Sequence, residues 1–260
     1  MRILCIIVAL FALLSGAFGQ TPRSIEGRIL QHLLSLEKWS SFGGSGDYDK
    51  LEKENAVLRA ELLRFGKVPA TLSYEFPRLK DKMFITTSLD GRLRIYSWDM
   101  ETGGSMHDFD AVYQYRGKSG YVRTWAEHRN GDFGAGVFYH DIFEVDTASG
   151  RVYLPVSTFI GSTSLNGQRI AAVKIRGESL IKNVKIFRTF EGPTNSIGFE
   201  YDFFSVVDRP ERPVKLFEYD RLKKALRFPV VIEDKESPQG RVTDKFITYR
   251  FNGTYFVKEK

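Results

Sequence analysis

Two stretches near the start of the chain carry apolar residues at three- and four-residue spacing, which is the period of one face of an α-helix. A glycine-rich break separates them, so the sequence predicts two amphipathic helices within residues 20–69. We expect both apolar faces to pack against the rest of the protein. Pairing of two copies through these faces, giving a homodimer or a helix-mediated scaffold, is the alternative. The residues on the two faces are Ile25, Ile29, Leu33, Leu36, Leu51, Leu58, Leu62 and Phe65.

From about residue 82 the apolar period changes from near four to two, which is the period of a half-buried β-strand. Asp90-Gly91 and Asn252-Gly253 each stand between two alternating runs, and such dipeptides tolerate the positive φ angles of tight hairpin turns. The sequence therefore predicts a mainly β protein, with two N-terminal α-helices followed by an antiparallel meander of hairpins over residues 70–260. A sandwich or an open barrel is favoured for this β domain, and a small propeller is the alternative.

Residues 1–19 have the order of a signal peptide. Arg2 precedes an unbroken apolar run over residues 3–14, and the small residue Gly19 suits cleavage before Gln20. The twelve apolar residues of this run would span about 18 Å as a helix, which is short of the roughly 30 Å of a bilayer core, so a membrane anchor is disfavoured. No later stretch approaches transmembrane length, and we expect no membrane span once the signal peptide is removed.

The composition narrows the class of protein. Of the 260 residues, 42% are hydrophobic and 27% are charged, which excludes a disordered chain and a polytopic membrane protein. The formal net charge is +6 and the basic residues are spread out, so we expect no nucleic-acid partner, while acidic polymers of an envelope stay open as partners. Cleavage would also remove Cys5, the single cysteine. An exported chain without disulfides is more typical of bacteria than of animals, and we expect a secreted or periplasmic bacterial protein.

The segment 92–115 has the most unusual pattern in the chain. Strand alternation sends Arg94, Tyr96 and Trp98 to one face, where a guanidinium would lie beside two aromatic rings. Such a face suits the apolar side of a sugar ring or a peptide. Burial of Trp98 in the core, with Arg94 at a sheet edge, is the alternative. The predicted ligand-binding residues are Arg94, Tyr96, Trp98, Asp99, Tyr113 and Tyr115.

Imidazole and carboxylate groups in the middle of the chain also allow an enzyme. His107, Asp108, Glu127, His128 and His140 could supply a general acid and base if the hairpins bring them together. The G-x-S-x-G elbow, the H-E-x-x-H zinc motif and the calcium-loop pattern are all absent from the sequence. We therefore expect no metal and no cofactor. A scatter of surface histidines is the alternative to a catalytic group.

Together these patterns predict an exported, non-catalytic protein of the cell envelope that binds a glycan or a polypeptide through its aromatic and polar face. The reason is that a β meander places binding loops on a rigid frame, while no catalytic signature of defined spacing is present. A hydrolase acting on an envelope polymer is the first alternative. A scaffold assembled through the N-terminal helices is the second.

Overall fold

The fold is taken from a computed structural model that describes residues 20–127 and 136–259. About 42% of the chain is strand and 20% is helix, with two helices at the N-terminus followed by antiparallel sheets, so the predicted fold class is confirmed. No closed barrel is formed by this part of the chain. The predicted signal peptide at residues 1–19 and the predicted catalytic residue His128 lie outside the described residues.

Both helices begin where a side chain caps the first turn. α1 (Pro22–Trp39) follows Thr21, and α2 (Tyr48–Phe65) follows Asp47; each cap oxygen accepts a backbone N–H at 3.2 Å. The apolar faces predicted for the two helices are buried in one core cluster with the first β-sheet, so they are covered within a single copy of the chain. In the described ranges, neither helix has both the length and the hydrophobicity that crossing a bilayer requires.

Sheet 1 follows the helices and has four antiparallel strands in the order β1-β2-β3-β4. The Asp90-Gly91 turn joins β1 to β2, with Gly91 at a φ of +67°, which confirms this predicted hairpin. The strands are β1 (Phe84–Thr87), β2 (Leu93–Asp99), β3 (Phe109–Arg116) and β4 (Val122–Ala126).

Sheet 2 has four antiparallel strands in the order β12-β7-β6-β5, and a separate hairpin of two short strands, β8 and β9, follows β7 in the chain. β12 lies at one edge of sheet 2 and pairs only with β7 within that sheet. The strands are β5 (Phe138–Thr147), β6 (Gly150–Ile160), β7 (Leu165–Ala171), β8 (Lys174–Arg176), β9 (Ser179–Ile181) and β12 (Ser196–Asp202).

Sheet 3 contains most of the C-terminal strands, in the order β11-β10-β16-β15-β14-β13. All neighbours in it are antiparallel except β10 and β16. Asn252-Gly253 lies in the turn between β15 and β16, with Gly253 at a φ of +100°, which confirms the second predicted hairpin. The strands are β10 (Phe187–Thr189), β11 (Gly192–Thr194), β13 (Glu218–Asp220), β14 (Ala225–Ile232), β15 (Arg241–Phe251) and β16 (Phe256–Lys258).

The helices and the three sheets stack in four layers. Trp98 on one face of sheet 1 packs in the same cluster as the helices. Ile95 on the other face of sheet 1 shares a cluster with Tyr153 of sheet 2. Leu154, on the opposite side of sheet 2, shares a cluster with Phe228 of sheet 3. The order of layers is therefore helices, sheet 1, sheet 2 and sheet 3, and the sheets pack face to face as in a sandwich.

Candidate functional site

The face of β2 that the sequence predicts as a binding surface is covered by the N-terminal segment. Arg94, Tyr96 and Trp98 are only 6%, 2% and 0% exposed. The indole Nε1 of Trp98 donates to Oδ1 of Asn55 in α2 at 2.9 Å, so the ring is fixed between helix and sheet. The prediction of an exposed aromatic face here is wrong, because α1 and α2 bury their own apolar faces against it.

Arg94 forms its hydrogen bonds within this buried layer. Its guanidinium donates to the carbonyl oxygens of Thr71 at 2.7 Å and Tyr74 at 2.5 Å, and to Oγ1 of Thr87 at 2.7 Å. The hydroxyl of Tyr96 donates to an amide oxygen in β3, and burial raises the Tyr96 pKa to about 12. Both polar groups are thus satisfied inside the protein, which leaves neither for a ligand.

Tyr113 and Tyr115 lie on the opposite face of sheet 1 from Tyr96. Both are buried, and they belong to the cluster between sheets 1 and 2. The ring of Tyr113 meets the rings of Trp125 and Tyr139 edge-on, at centroid distances of 5.4 and 5.5 Å. The structure therefore divides the predicted ligand-binding tyrosines and Trp98 between two interior layers and does not bring them together.

Asp99, the remaining residue of that prediction, ends β2 beside His107. Its Oδ2 lies 2.5 Å from Nδ1 of His107, whose side chain is half exposed. This hydrogen bond raises the pKa of His107, and it places the proton on Nδ1 in the neutral ring. Asp99 also accepts the backbone N–H of Glu101 through Oδ1 at 2.8 Å. The pair has the orientation of a carboxylate that holds an imidazole for general base catalysis.

Glu101 is a second titratable group at this place. Its Oε2 accepts a hydrogen bond from the hydroxyl of Ser40, which caps the end of α1, at 2.8 Å. Burial raises the pKa of Glu101, and the nearby carboxylates of Asp99 and Glu37 raise it further. Neither Ser40 nor Glu101 is predicted from the sequence, because no spacing pattern connects the end of a helix with a loop that follows a strand. We call Ser40, Asp99, Glu101 and His107 the His107 cluster.

Asp108 and Glu127, also predicted as possible catalytic groups, are held in other contacts. Asp108 is buried and accepts the backbone N–H of Gly136 at 2.8 Å. Glu127 is exposed and forms an ion pair with Lys182 at 2.8 Å. Among residues 20–127 and 136–259, no three His, Asp or Glu side chains are arranged to hold a metal ion.

His140 lies in a bulge of β5, and its side chain is nearly fully buried. Its Nδ1 is 3.0 Å from Asp141 and its Nε2 is 3.1 Å from the hydroxyl of Thr158. The ring of His140 packs against Phe138, whereas the ring of His107 packs against Phe109. These two phenylalanine rings contact each other at a centroid distance of 4.9 Å, so each histidine packs on a different ring of one aromatic group and has its own carboxylate partner.

A groove of about 480 Å³ opens on sheet 2. Phe159 of β6 lines the groove, and strand alternation puts it on the same face of sheet 2 as Tyr153. Tyr153 packs against sheet 1. The groove is therefore the part of this face that sheet 1 does not cover. Arg169 of β7 and Glu200 of β12 line it, and both are exposed. Neither has an ion-pair partner among the residues that the structure describes.

Two glycines shape this groove. A Cβ atom on Gly167 would lie 2.1 Å from Cε1 of Phe159, so the aromatic ring rests directly on the glycine. A Cβ on Gly198, in the neighbouring strand, would lie 2.7 Å from a backbone oxygen of β7. An isolated glycine within a strand pattern indicates a close approach of this kind. The sequence signal at Gly167 is ambiguous, because Asn166-Gly167 is also a dipeptide that predicts a hairpin turn, whereas in the structure it lies inside β7.

Residues 196–200 of β12 all contribute to the groove, which thus runs along an open strand edge.

Comparisons with protein families, with curated proteins and with solved structures found no match to the chain. Among the described residues, the groove on sheet 2 and the His107 cluster offer chemistry that a ligand or a substrate could use.

Proposed function

We propose that the protein is an exported, non-catalytic protein of the cell envelope that binds an extended polypeptide in the groove on sheet 2. The peptide adds as a further strand to the edge of β12. The observation that carries this proposal is the run of residues 196–200, which lines the groove along the edge strand of sheet 2, whose outer side pairs with no other strand in the described part of the chain. Backbone N–H and C=O groups at such an edge are a template for another strand.

β12 lacks the usual protection of an edge strand. Residues 196–199 include no charged residue and no proline, and no bulge interrupts the pairing of β12 with β7. The far end of β12 is closed, because Gly240 O accepts the backbone N–H of Asp202 at 2.7 Å. Gly240 also lies close to the backbone oxygen of Glu200, so the open edge covers residues 196–199 and suits a short extended segment of a ligand.

The charges in the groove favour a polypeptide over a glycan. Gly198 is directly opposite Arg169 in the register, and Gly167 is directly opposite Glu200. Neither charged side chain therefore faces an oppositely charged residue across the strands: Gly198 has no side chain to offer Arg169, and the ring of Phe159 covers Gly167 opposite Glu200. A guanidinium and a carboxylate suit side chains of opposite charge on a peptide, whereas Phe159 is a single ring already packed on Gly167 and offers little aromatic shelf for a sugar.

A displayed library of random peptides tests this proposal. Selection on the protein should enrich extended sequences, and their affinity should fall on the order of fivefold in Arg169→Glu, the scale of an exposed ion pair. Arg188→Glu, which reverses an exposed cation on sheet 3, is the matched control and should leave the affinity unchanged. No enrichment, or peptides that bind Arg169→Glu as well as the parent protein, would rule the proposal out.

Hydrolysis of an envelope polymer is a second candidate function, favoured by the 2.5 Å contact between Asp99 and His107. The backbone N–H of His107 donates to Ile160 O at 3.1 Å, next to Phe159 of the groove, so an acid–base pair lies beside the groove. Release of new chain ends from an envelope polymer, abolished in His107→Gln, would support this function. Binding without any release, in the parent protein and the variant alike, would leave only the non-catalytic function.

A further inference from the structure

Five hairpin turns meet at one end of the stacked sheets. We call this surface the hairpin end; its turns are residues 88–92, 116–121, 147–150, 176–178 and 221–224. The backbone N–H of Lys118 donates to Gly177 O at 2.9 Å, and Arg92 donates to the carbonyl of Arg116 at 3.2 Å. The hydroxyl of Tyr153 donates to Asp90 at 2.8 Å. Turns from sheet 1, sheet 2 and the small hairpin therefore form one connected surface.

The fifth turn joins this surface through sheet 2. Asp146, at the end of β5, has its pKa lowered, first by a hydrogen bond from Arg151 and also by the charges of Arg221 and Lys224. The ring of Phe143 in β5 lies 5.6 Å from the ring of Tyr219 in β13, two residues before Arg221, so the β5–β6 turn and the turn that carries Arg221 are neighbours. The surface therefore extends from sheet 1 across to sheet 3.

The outer positions of the hairpin end are positively charged. Arg92, Lys118, Arg176 and Arg221 are exposed, and none of them has a carboxylate within ion-pair distance in the described part of the chain. The positive charge of Arg176 also contributes to a lowered pKa of the adjacent Lys174, after the larger effect of burial. The cations of this surface thus exceed the carboxylates that could neutralise them.

The carboxylates of the hairpin end are held in ion pairs; Glu144 is buried, whereas Asp146 is exposed. The guanidinium of Arg151 forms ion pairs with three carboxylates: Asp90 at 3.1 Å, Glu144 at 3.1 Å and Asp146 at 2.8 Å. Glu178 is bound by Arg123 at 2.8 Å. These pairs brace the turns and leave the unpaired cations as the charges that a partner would meet.

Exposed apolar side chains lie at the tips of the same turns. Leu222 is 98% exposed, and Leu89 and Tyr121 are also exposed. Leu222 directly follows Arg221, and Leu89 lies three residues before Arg92. Apolar tips surrounded by unpaired cations are typical of surfaces that lie on a membrane, with the apolar groups among the acyl chains and the cations at the headgroups.

We propose that the hairpin end docks onto a bilayer surface that contains acidic phospholipids, with Leu222, Leu89 and Tyr121 inserted at the interface. Charge complementarity selects an anionic partner. The exposed leucines favour a lipid surface over a soluble acidic polymer, because a polymer in water offers no apolar medium in which a leucine tip could be buried. The docking surface uses none of the residues that line the groove on sheet 2.

Vesicle binding tests the proposal. The protein should sediment with vesicles of phosphatidylcholine and phosphatidylglycerol but not with vesicles of phosphatidylcholine alone, and added salt should weaken the binding. Lys118→Glu with Arg221→Glu should reduce the affinity by about fivefold or more for each cation. Leu222→Ala should reduce it by about tenfold, because the inserted side chain loses most of its apolar surface.

Matched variants keep the test specific to this surface. Phe190→Ala removes another fully exposed apolar tip, on the β10–β11 hairpin, and Lys235→Glu reverses an exposed cation elsewhere; both should bind like the parent protein. The apolar run at residues 3–14 is identical in every variant and cannot cause a difference between them.

Three results would overturn the proposal. The first is no phosphatidylglycerol-dependent sedimentation, and the second is an equal loss of binding in Phe190→Ala and Lys235→Glu. The third is a loss on charge reversal with none in Leu222→Ala, accompanied by capture on dextran sulfate. That third result would identify the hairpin end as a site for acidic polymers instead of a lipid surface.

Discussion

Trp98 and Asn55 form a buried hydrogen-bonded unit that connects three parts of the chain. The indole N–H donates to the side-chain oxygen of Asn55. The side-chain nitrogen of Asn55 in turn donates to the carbonyl oxygens of Leu51 and Met100, each at 2.9 Å. One amide thus links α2, β2 and the loop after β2, and the polar groups of both side chains are satisfied without water.

We predict that Trp98→Ala lowers the free energy of unfolding by about 3–5 kcal/mol, because the change leaves a cavity and removes the donor to Asn55. Urea denaturation measures this difference. Phe190→Ala is the matched control: its ring lies fully in solvent, and the expected change is within about 0.5 kcal/mol. Equal stability of the two variants would contradict the structural role given to Trp98.

The Asp99 carboxylate favours the protonated form of His107 in the folded protein, since their hydrogen bond raises the pKa of the imidazole. A group whose folded pKa is raised stabilises the fold fully below its unfolded pKa, about 6.5 for histidine. This contribution is lost as the pH rises through the higher folded value. Stability from this pair is therefore greater in mild acid than at alkaline pH.

We predict that Asp99→Asn shifts the His107 pKa down toward its unfolded value, which an NMR titration of the imidazole protons can follow. The pH dependence of stability above about pH 6.5 should become weaker in the same variant. Asp244→Asn, which changes an exposed carboxylate on β15, should leave the titration of His107 as it is. An unchanged His107 pKa in Asp99→Asn would show that the carboxylate does not control the ring.

At the scale of elements, β2 explains why the sequence predicted the right strand and the wrong surface. Alternation gives the correct sides for Ile95 and Trp98, but it carries the assumption that one side of the strand faces water. Here both sides are buried, because the helices cover one face of sheet 1 and sheet 2 covers the other. In the sequence, a polar residue such as Arg94 indicates a face exposed to water. In the fold, its guanidinium instead donates hydrogen bonds to backbone carbonyl oxygens in the interior.

The contact between Gly167 and Phe159 controls the shape of the groove on sheet 2. We predict that Gly167→Ala costs about 1–3 kcal/mol of stability, because the added methyl group forces the ring of Phe159 to move. The double variant Gly167→Ala with Phe159→Ala should be more stable than the sum of the two single changes predicts.

Denaturation of all four proteins in this cycle gives the coupling energy. Gly104→Ala serves as the control, since a Cβ there meets nothing within 4 Å and a change near zero is expected. Strict additivity of Gly167→Ala and Phe159→Ala would mean that the ring does not rest on the glycine.

At the scale of the whole molecule, sheet 2 is the third of four layers and has protein on both sides over much of its area. We predict that hydrogen exchange is slowest in the middle of β6, whose residues from Val152 to Thr158 are all buried. The short edge strands β11 and β13 should exchange much faster. Faster exchange in β6 than in β13 would contradict this order of layers.

Local features of the fold could be predicted from the sequence, and the stacking of layers could not. The helical faces of α1 and α2 and the turns at Gly91 and Gly253 depend on residues close together in the chain. The His107 cluster and the groove join residues far apart, such as Ser40 with Glu101. Their proximity follows from the packing of sheets on sheets, for which a single sequence contains no periodic signal.

The bonds of Arg94 to the carbonyl oxygens of Thr71 and Tyr74 have a consequence for the environment in which the protein can work. A guanidinium keeps its proton at any pH that a cell meets, and a carbonyl oxygen has no proton to gain in that range. This connection between the segment after α2 and strand β2 therefore contains no carboxylate that acidification could protonate. Acidification therefore leaves these interior hydrogen bonds in place.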